Sequence, residues 1–176
     1  NLEPHTPIWS EMFCRRLEEA YGSPIRLVDT AVGGTRMEWG LEHLQTEVAD
    51  YHPDLAVIGF GNNDRFSPAE YKEMVADLRC TCPDTEVILM DPLTPNRFIA
   101  RGDDGYMWNV FQPYYAQKNL ELEQEISGAA ALEINRPHLQ LQEIKRFHDM
   151  TANINHPNDW FYRVVAQIAS RLLIPG

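Results

Sequence analysis

Cysteine is scarce in this chain, with three in 176 residues. Cys80 and Cys82 flank only Thr81, too short a spacing for the usual redox or zinc patterns, and no second pair exists, so the thiols read as structural or incidental. Basic charge is also short: 15 Lys and Arg stand against 26 Asp and Glu, a formal net charge of −11. That balance argues against a nucleic-acid backbone as partner, leaving only a local basic patch such as Arg97 and Arg101 to meet an anionic group. No apolar run approaches the ~20 residues of a membrane span, so a soluble domain is expected. Whether a signal peptide belongs to the protein, and hence whether it is cytoplasmic or secreted, stays open.

What is present is an ordinary globular composition, 44% hydrophobic and 23% charged. It is enough for one domain, residues 1–176, with a substantial core. Helix and strand patterns alternate without a linker or repeat. The amphipathic segment Pro7 to Tyr21, with Trp9 and Phe13 on its core side, stops at Gly22; strand Ile25 to Asp29 and helix Met37 to Tyr51 follow. Strand Leu55 to Phe60, helix Pro68 to Arg79 and strand Glu86 to Met90 come next. A long helix from about Trp108 to Ser127, strand Ala130 to Ile134, a helical stretch near Leu139 to Phe147 and a last helix from Asp159 to Leu173 complete the order. Such alternation implies a parallel sheet with helices on both faces.

Three polar clusters punctuate this pattern. Gly59 to Asp64, Gly-Phe-Gly-Asn-Asn-Asp, closes the apolar run Leu55 to Phe60, at the strand end where open α/β sheets do their chemistry. Gly33 and Gly34 follow the preceding strand, and Asn153 to Asp159 leads into the last helix. Each alone also fits plain structure. Gly61 to Asp64 and Gly33-Gly34 fit strand-to-helix turns, Asn158 an N-cap, and His156 a surface histidine. His5, His43, His52, His138 and His148 show no ligand spacing.

Taken in this order, the clusters resemble the SGNH hydrolases, the GDSL-type esterases and lipases. The family's later three blocks match Ala31-Val32-Gly33-Gly34-Thr35, Gly61-Asn62-Asn63-Asp64 and Asn155-His156-Pro157-Asn158-Asp159. The resemblance implies a flavodoxin-like three-layer α/β/α sandwich and hydrolysis of carboxylic esters through a serine, without metal or organic cofactor. The family's first block, Gly-Asp-Ser after the first strand, is not found. The serines are Ser10, Ser23, Ser67, Ser127 and Ser170, and none follows Gly-Asp. In the sheet order 2-1-3-4-5 the first strand lies between the second and third, so its loss would leave two interior edges unpaired. The expectation is therefore that the first strand and the nucleophile lie upstream of Asn1, as an N-terminal partner segment, and that residues 1–176 alone are inactive.

By the same resemblance His156 is the general base, and Gly34 N–H and the Asn63 amide belong to the oxyanion hole. Asp64 supports the turn that presents Asn63. The family's commonest pattern has an aspartate where this chain has Asn153, so His156 is steadied by Asn153, by a backbone carbonyl in a Ser-His dyad, or by Asp149. Asp159 is read as favouring the last helix's N-terminus. Arg97, Phe98, Arg101, Tyr106 and Trp108 either shape the substrate cleft or anchor a surface loop. The expected substrate is a small-molecule ester, preferably a short acyl ester of a carbohydrate or other polar alcohol. The alternatives are a carbohydrate-binding or scaffold domain without a nucleophile, and a lysophospholipase or thioesterase.

Overall fold

The computed structural model describes residues 7–64, 69–94, 112–152 and 156–175. In chain order its elements are α1 Trp9–Tyr21, α2 Met37–Glu47, β1 Leu55–Ile58, α3 Ala69–Thr81, β2 Glu86–Met90, α4 Gln112–Glu125, β3 Ala129–Leu132, α5 Asn135–Ile144 and α6 Asp159–Leu173. Single 3-10 turns occupy Ala49–Tyr51 and Phe147–Asp149. The strands are parallel in the order β1-β2-β3, with Leu55 opposite Glu86 and Val87 opposite Ala129. β2 is central, and its pleat sends alternate residues to two cores. Val87 and Leu89 join Ala56, Ile58, Met37, Met74 and Leu78 on one face. Ile88 joins Phe13, Leu132, Phe161 and Val165 on the other. Helices on both faces of a parallel sheet make this the α/β sandwich that the sequence implies.

One expected strand does not form. Residues Ile25 to Asp29 run without a ladder, and the backbone turns to side chains instead: Ile25 N–H donates to Glu18 Oε1 at 2.8 Å and Ala31 N–H to Asp29 Oδ1 at 3.1 Å. A strand needs a partner backbone, and among the described residues none is paired with this segment. Its apolar side chains are accordingly uncovered, with Ile25, Leu27, Val28 and Val32 all exposed, as is Val57 on the adjacent edge strand β1 at 38%.

Element ends shift for local reasons. The third strand stops at Leu132 rather than Ile134, because the Ile134 N–H donates to the Asp91 carboxylate at 3.2 Å. α5 begins at Asn135, earlier than Leu139, since Pro137 falls in the first turn, where no intrahelical donor is required. α2 ends at Glu47 when Val48 leaves the helical region, at φ −131°, and the 3-10 turn finishes the segment. α1 stops at Gly22, whose φ of 63° is left-handed and whose N–H reaches Glu18 O at 2.8 Å.

Candidate active site

The turn after β1 is shaped by glycine. Gly61 has φ 100°, and a Cβ there would lie 3.0 Å from Tyr115 Cγ and 3.2 Å from Pro92 Cγ, so both conformation and packing exclude a larger residue. Asp64, only 4% exposed, then folds back into the turn: its Oδ2 accepts from Gly61 N–H at 2.9 Å, and its Oδ1 from Met37 N–H at 2.8 Å. Met37 opens α2, and Arg36 provides no side-chain cap there. The Asp64 carboxylate therefore caps α2 from a distant part of the chain and favours the positive end of its dipole. One buried side chain thus ties the loop before α2 to the loop after β1.

This tie brings two predicted residues together. Asn63 Nδ2 donates to Thr35 O at 3.1 Å, next to Gly34. Thr35 Oγ1 closes the glycine turn onto Val32 O at 2.7 Å, and Gly34 itself has φ 81° with open space where a Cβ would stand. Gly34 is glycine for its conformation, not for lack of room. An amide nitrogen carries two N–H groups. With one on Thr35 O, the second can meet a ligand oxygen at the exposed strand edge.

His156 lies on a loop anchored to the core on the other face of the sheet. Thr151 and Pro157 form an antiparallel bridge, Ala152 N–H donates to His156 O at 2.9 Å, and Asn158 N–H to Met150 O at 3.0 Å. Met150 is buried in the core that also packs Met90 and Leu93, at the C-terminal end of β2. Asn158 Oδ1 accepts from Phe161 N–H at 3.1 Å and caps α6, so the cap expected for Asn158 and the placement of exposed His156 shortly ahead of a helix hold together. Asp159 is the first residue of α6, as the dipole argument requires. Asp149, the rival acid for His156, is held by Arg146, with Nη2 3.2 Å from Oδ1 and Nε 3.4 Å from Oδ2. Asn153, Arg97 and Trp108, with Phe98, Arg101 and Tyr106, lie outside the described residues.

A second buried carboxylate was not singled out from the sequence. Asp91 directly follows β2, accepts from Asn119 Nδ2 at 3.1 Å and from Ile134 N–H, and joins the ends of β2 and β3 to α4. Burial pushes its carboxyl up to about 6, against the lowering effect of those donors. Beside it Asn135 Nδ2 donates to Thr94 Oγ1 at 2.7 Å and Pro92 O at 3.2 Å. The available signal was an aspartate directly closing an apolar strand, the same grammar as Asp64. His138 also lies deep, its ring 4.4 Å from that of Phe161 and 6.3 Å from that of Phe147; burial lowers its pKa to about 4.

The described serines sit in or next to helices and strands, and none follows Gly-Asp. Ser10 is buried in α1, Ser170 Oγ donates to Ala166 O at 2.7 Å inside α6, Ser23 follows α1 and Ser127 precedes β3.

A family model for GDSL-like lipases and acylhydrolases matches residues 5–164. The chain belongs to this family. As a GDSL-like acylhydrolase it shares its fold with an acetylxylan esterase from Geobacillus stearothermophilus, at TM-score 0.73 and 16% identity over 92% of this chain and 78% of that one. A lipase/acylhydrolase from Enterococcus faecalis is similar at TM-score 0.68 and 18% identity, over 95% and 85%. So is a two-domain esterase active on acetylated mannans, at TM-score 0.70 and 15% identity, over 94% of this chain and 43% of that one. No curated protein matches. Membership agrees with the resemblance carried by the Gly61–Asp64 and His156 blocks.

Proposed function

We propose that this GDSL-like chain is the body of a serine esterase that removes short acyl groups, acetyl foremost, from carbohydrates or other polar alcohols. The observation that carries the reading is the Asp64 tie, which holds Gly34 and Asn63 side by side at the C-terminal sheet edge. Two donors on one rigid edge suit the charge that develops on a carbonyl oxygen during acyl transfer. His156, on the loop fixed by the Thr151–Pro157 bridge, takes the serine proton as the Ser–O–C bond forms. It then returns that proton to the departing alcohol. With Asp149 engaged by Arg146, a dyad steadied by a backbone carbonyl or by Asn153 is the reading we favour. The acetylxylan and acetylated-mannan esterases that share the fold support the choice of substrate.

The serine is proposed to arrive on a further parallel strand of the same protein, seated between the Ile25–Asp29 segment and β1. The uncovered Ile25, Leu27, Val28 and Val57 side chains support this, because apolar groups on both sides of an unpaired edge suit an inserted strand. The test is hydrolysis of short-chain p-nitrophenyl and acetylated oligosaccharide esters by a chain extended upstream, with His156→Ala alongside. Turnover should fall by ~10³ or more in the variant while the fold persists. Near-normal turnover would remove His156 from the mechanism.

A further inference from the structure

A groove runs between α1 and α6, and it is cationic on a protein of net charge −11. Arg15 and Arg16 from α1 and Arg163 from α6 line it. All three side chains are exposed, and none makes an ion pair or hydrogen bond among the described residues. Glu19 at the same groove offsets one charge and leaves an excess of positive potential. Met12 and Ala166 supply an apolar lining, the surface against which the C–H face of a sugar ring packs. The cavity, about 480 Å³, lies within the range of ~300–1,000 Å³ that small-molecule sites occupy and is too small for a folded partner.

Its position relates it to the candidate active site. Tyr21 Oη donates to Leu173 O, joining the C-terminal ends of α1 and α6, so the two helices run in the same direction. Arg163 stands four residues into α6, ~6 Å from its start at 1.5 Å per residue. His156 lies three residues before that start, with Pro157 and the N-cap Asn158 between. Arg163 is thus seven residues from His156 in sequence, toward the same end of α6, and a chain of sugars that lays an acyl ester at His156 can extend toward the arginines.

We propose that this groove is a subsite for a carboxylate-bearing sugar on the same carbohydrate chain whose ester is cleaved. Guanidinium groups match the planar carboxylate through paired N–H donors, and three neighbouring cations lose mutual repulsion when an anion enters. The proposal rests on the esterase reading for the identity of the chain that carries the carboxylate. Calorimetric titration of the protein with a glucuronic-acid-substituted xylo-oligosaccharide, and with the neutral oligosaccharide of the same length, tests it. The acidic ligand should bind about tenfold tighter at low salt, the scale of one or two charge-assisted hydrogen bonds, and high salt should erase the difference. Arg15→Gln with Arg163→Gln should abolish the preference and leave neutral binding unchanged.

Equal affinity for the two ligands, or a preference that survives the double substitution, overturns the proposal. Inorganic phosphate that binds as tightly as the acidic oligosaccharide and displaces it also overturns it, in favour of a free-anion site. Binding is read without hydrolysis. An inactive protein with the acid preference intact defeats the esterase reading alone, and an active one without the preference defeats the groove assignment alone.

Discussion

Asp64→Asn probes the tie on which the site geometry depends. The carboxylate accepts one buried N–H on each oxygen, from Gly61 and from Met37. Asparagine keeps one acceptor and turns an NH₂ group toward the other donor. One buried N–H is then left unsatisfied, at ~1–3 kcal/mol. Loss of the negative charge at the start of α2 adds ~0.3–1 kcal/mol. The sum, ~1.3–4 kcal/mol, is a large share of the ~5–15 kcal/mol that holds a domain together. Urea unfolding of parent and variant measures it, and amide exchange at Gly61 and Met37 locates it. Both amides should lose protection ahead of those in β2, because opening the tie releases the two loops before the sheet. A change within ~0.5 kcal/mol, the range of ordinary surface substitutions, would refute the assignment of Asp64 as the clamp.

Asn63→Ala should lower turnover of the extended enzyme by ~10²–10³ with little change in substrate affinity, since an oxyanion donor acts as negative charge develops. A variant that melts lower but turns over normally would reduce Asn63 to a tether for Thr35. The buried Asp91 and His138 act oppositely on stability with pH. Asp91 is raised from 3.8 to about 6, so the folded state holds more protons and stability falls as pH rises through that window. His138 is lowered from 6.5 to about 4, so the unfolded state holds more protons and stability rises with pH over nearly the same window. Each contributes ~3 kcal/mol at most, and the two offset one another. His138→Phe should leave the Asp91 trend exposed, with stability falling from pH 4 to pH 6 in urea melts; a variant profile that rises there would contradict the burial of Asp91.

The sheet was legible where apolar runs end in polar turns. Leu55–Ile58 and Glu86–Met90 lie where the runs predicted, because a parallel strand with helices on both faces of its sheet reads as an apolar run. Ile25 to Asp29 carries the same signal but makes no ladder, since pattern records the wish for burial and only a neighbouring backbone grants the strand. Gly34, Asn63 and His156 were singled out through a family pattern, not through periodicity. Asp64 was read as support, and its reach to Met37 is a long-range bond that no local pattern announces. Asp91 and its asparagine partners went unread because a single aspartate after a strand is common, and its partners lie far along the chain.

The central claim is that ester cleavage uses His156 with a serine outside residues 1–176. Labelling with a fluorophosphonate, which marks an activated serine, followed by mass-spectrometric mapping, tests it most directly. The account predicts no adduct on residues 1–176 alone, and in the upstream-extended protein a single adduct ahead of Asn1 that disappears in His156→Ala. An adduct on Ser10, Ser23, Ser67, Ser127 or Ser170, or labelling that survives loss of His156, would contradict it.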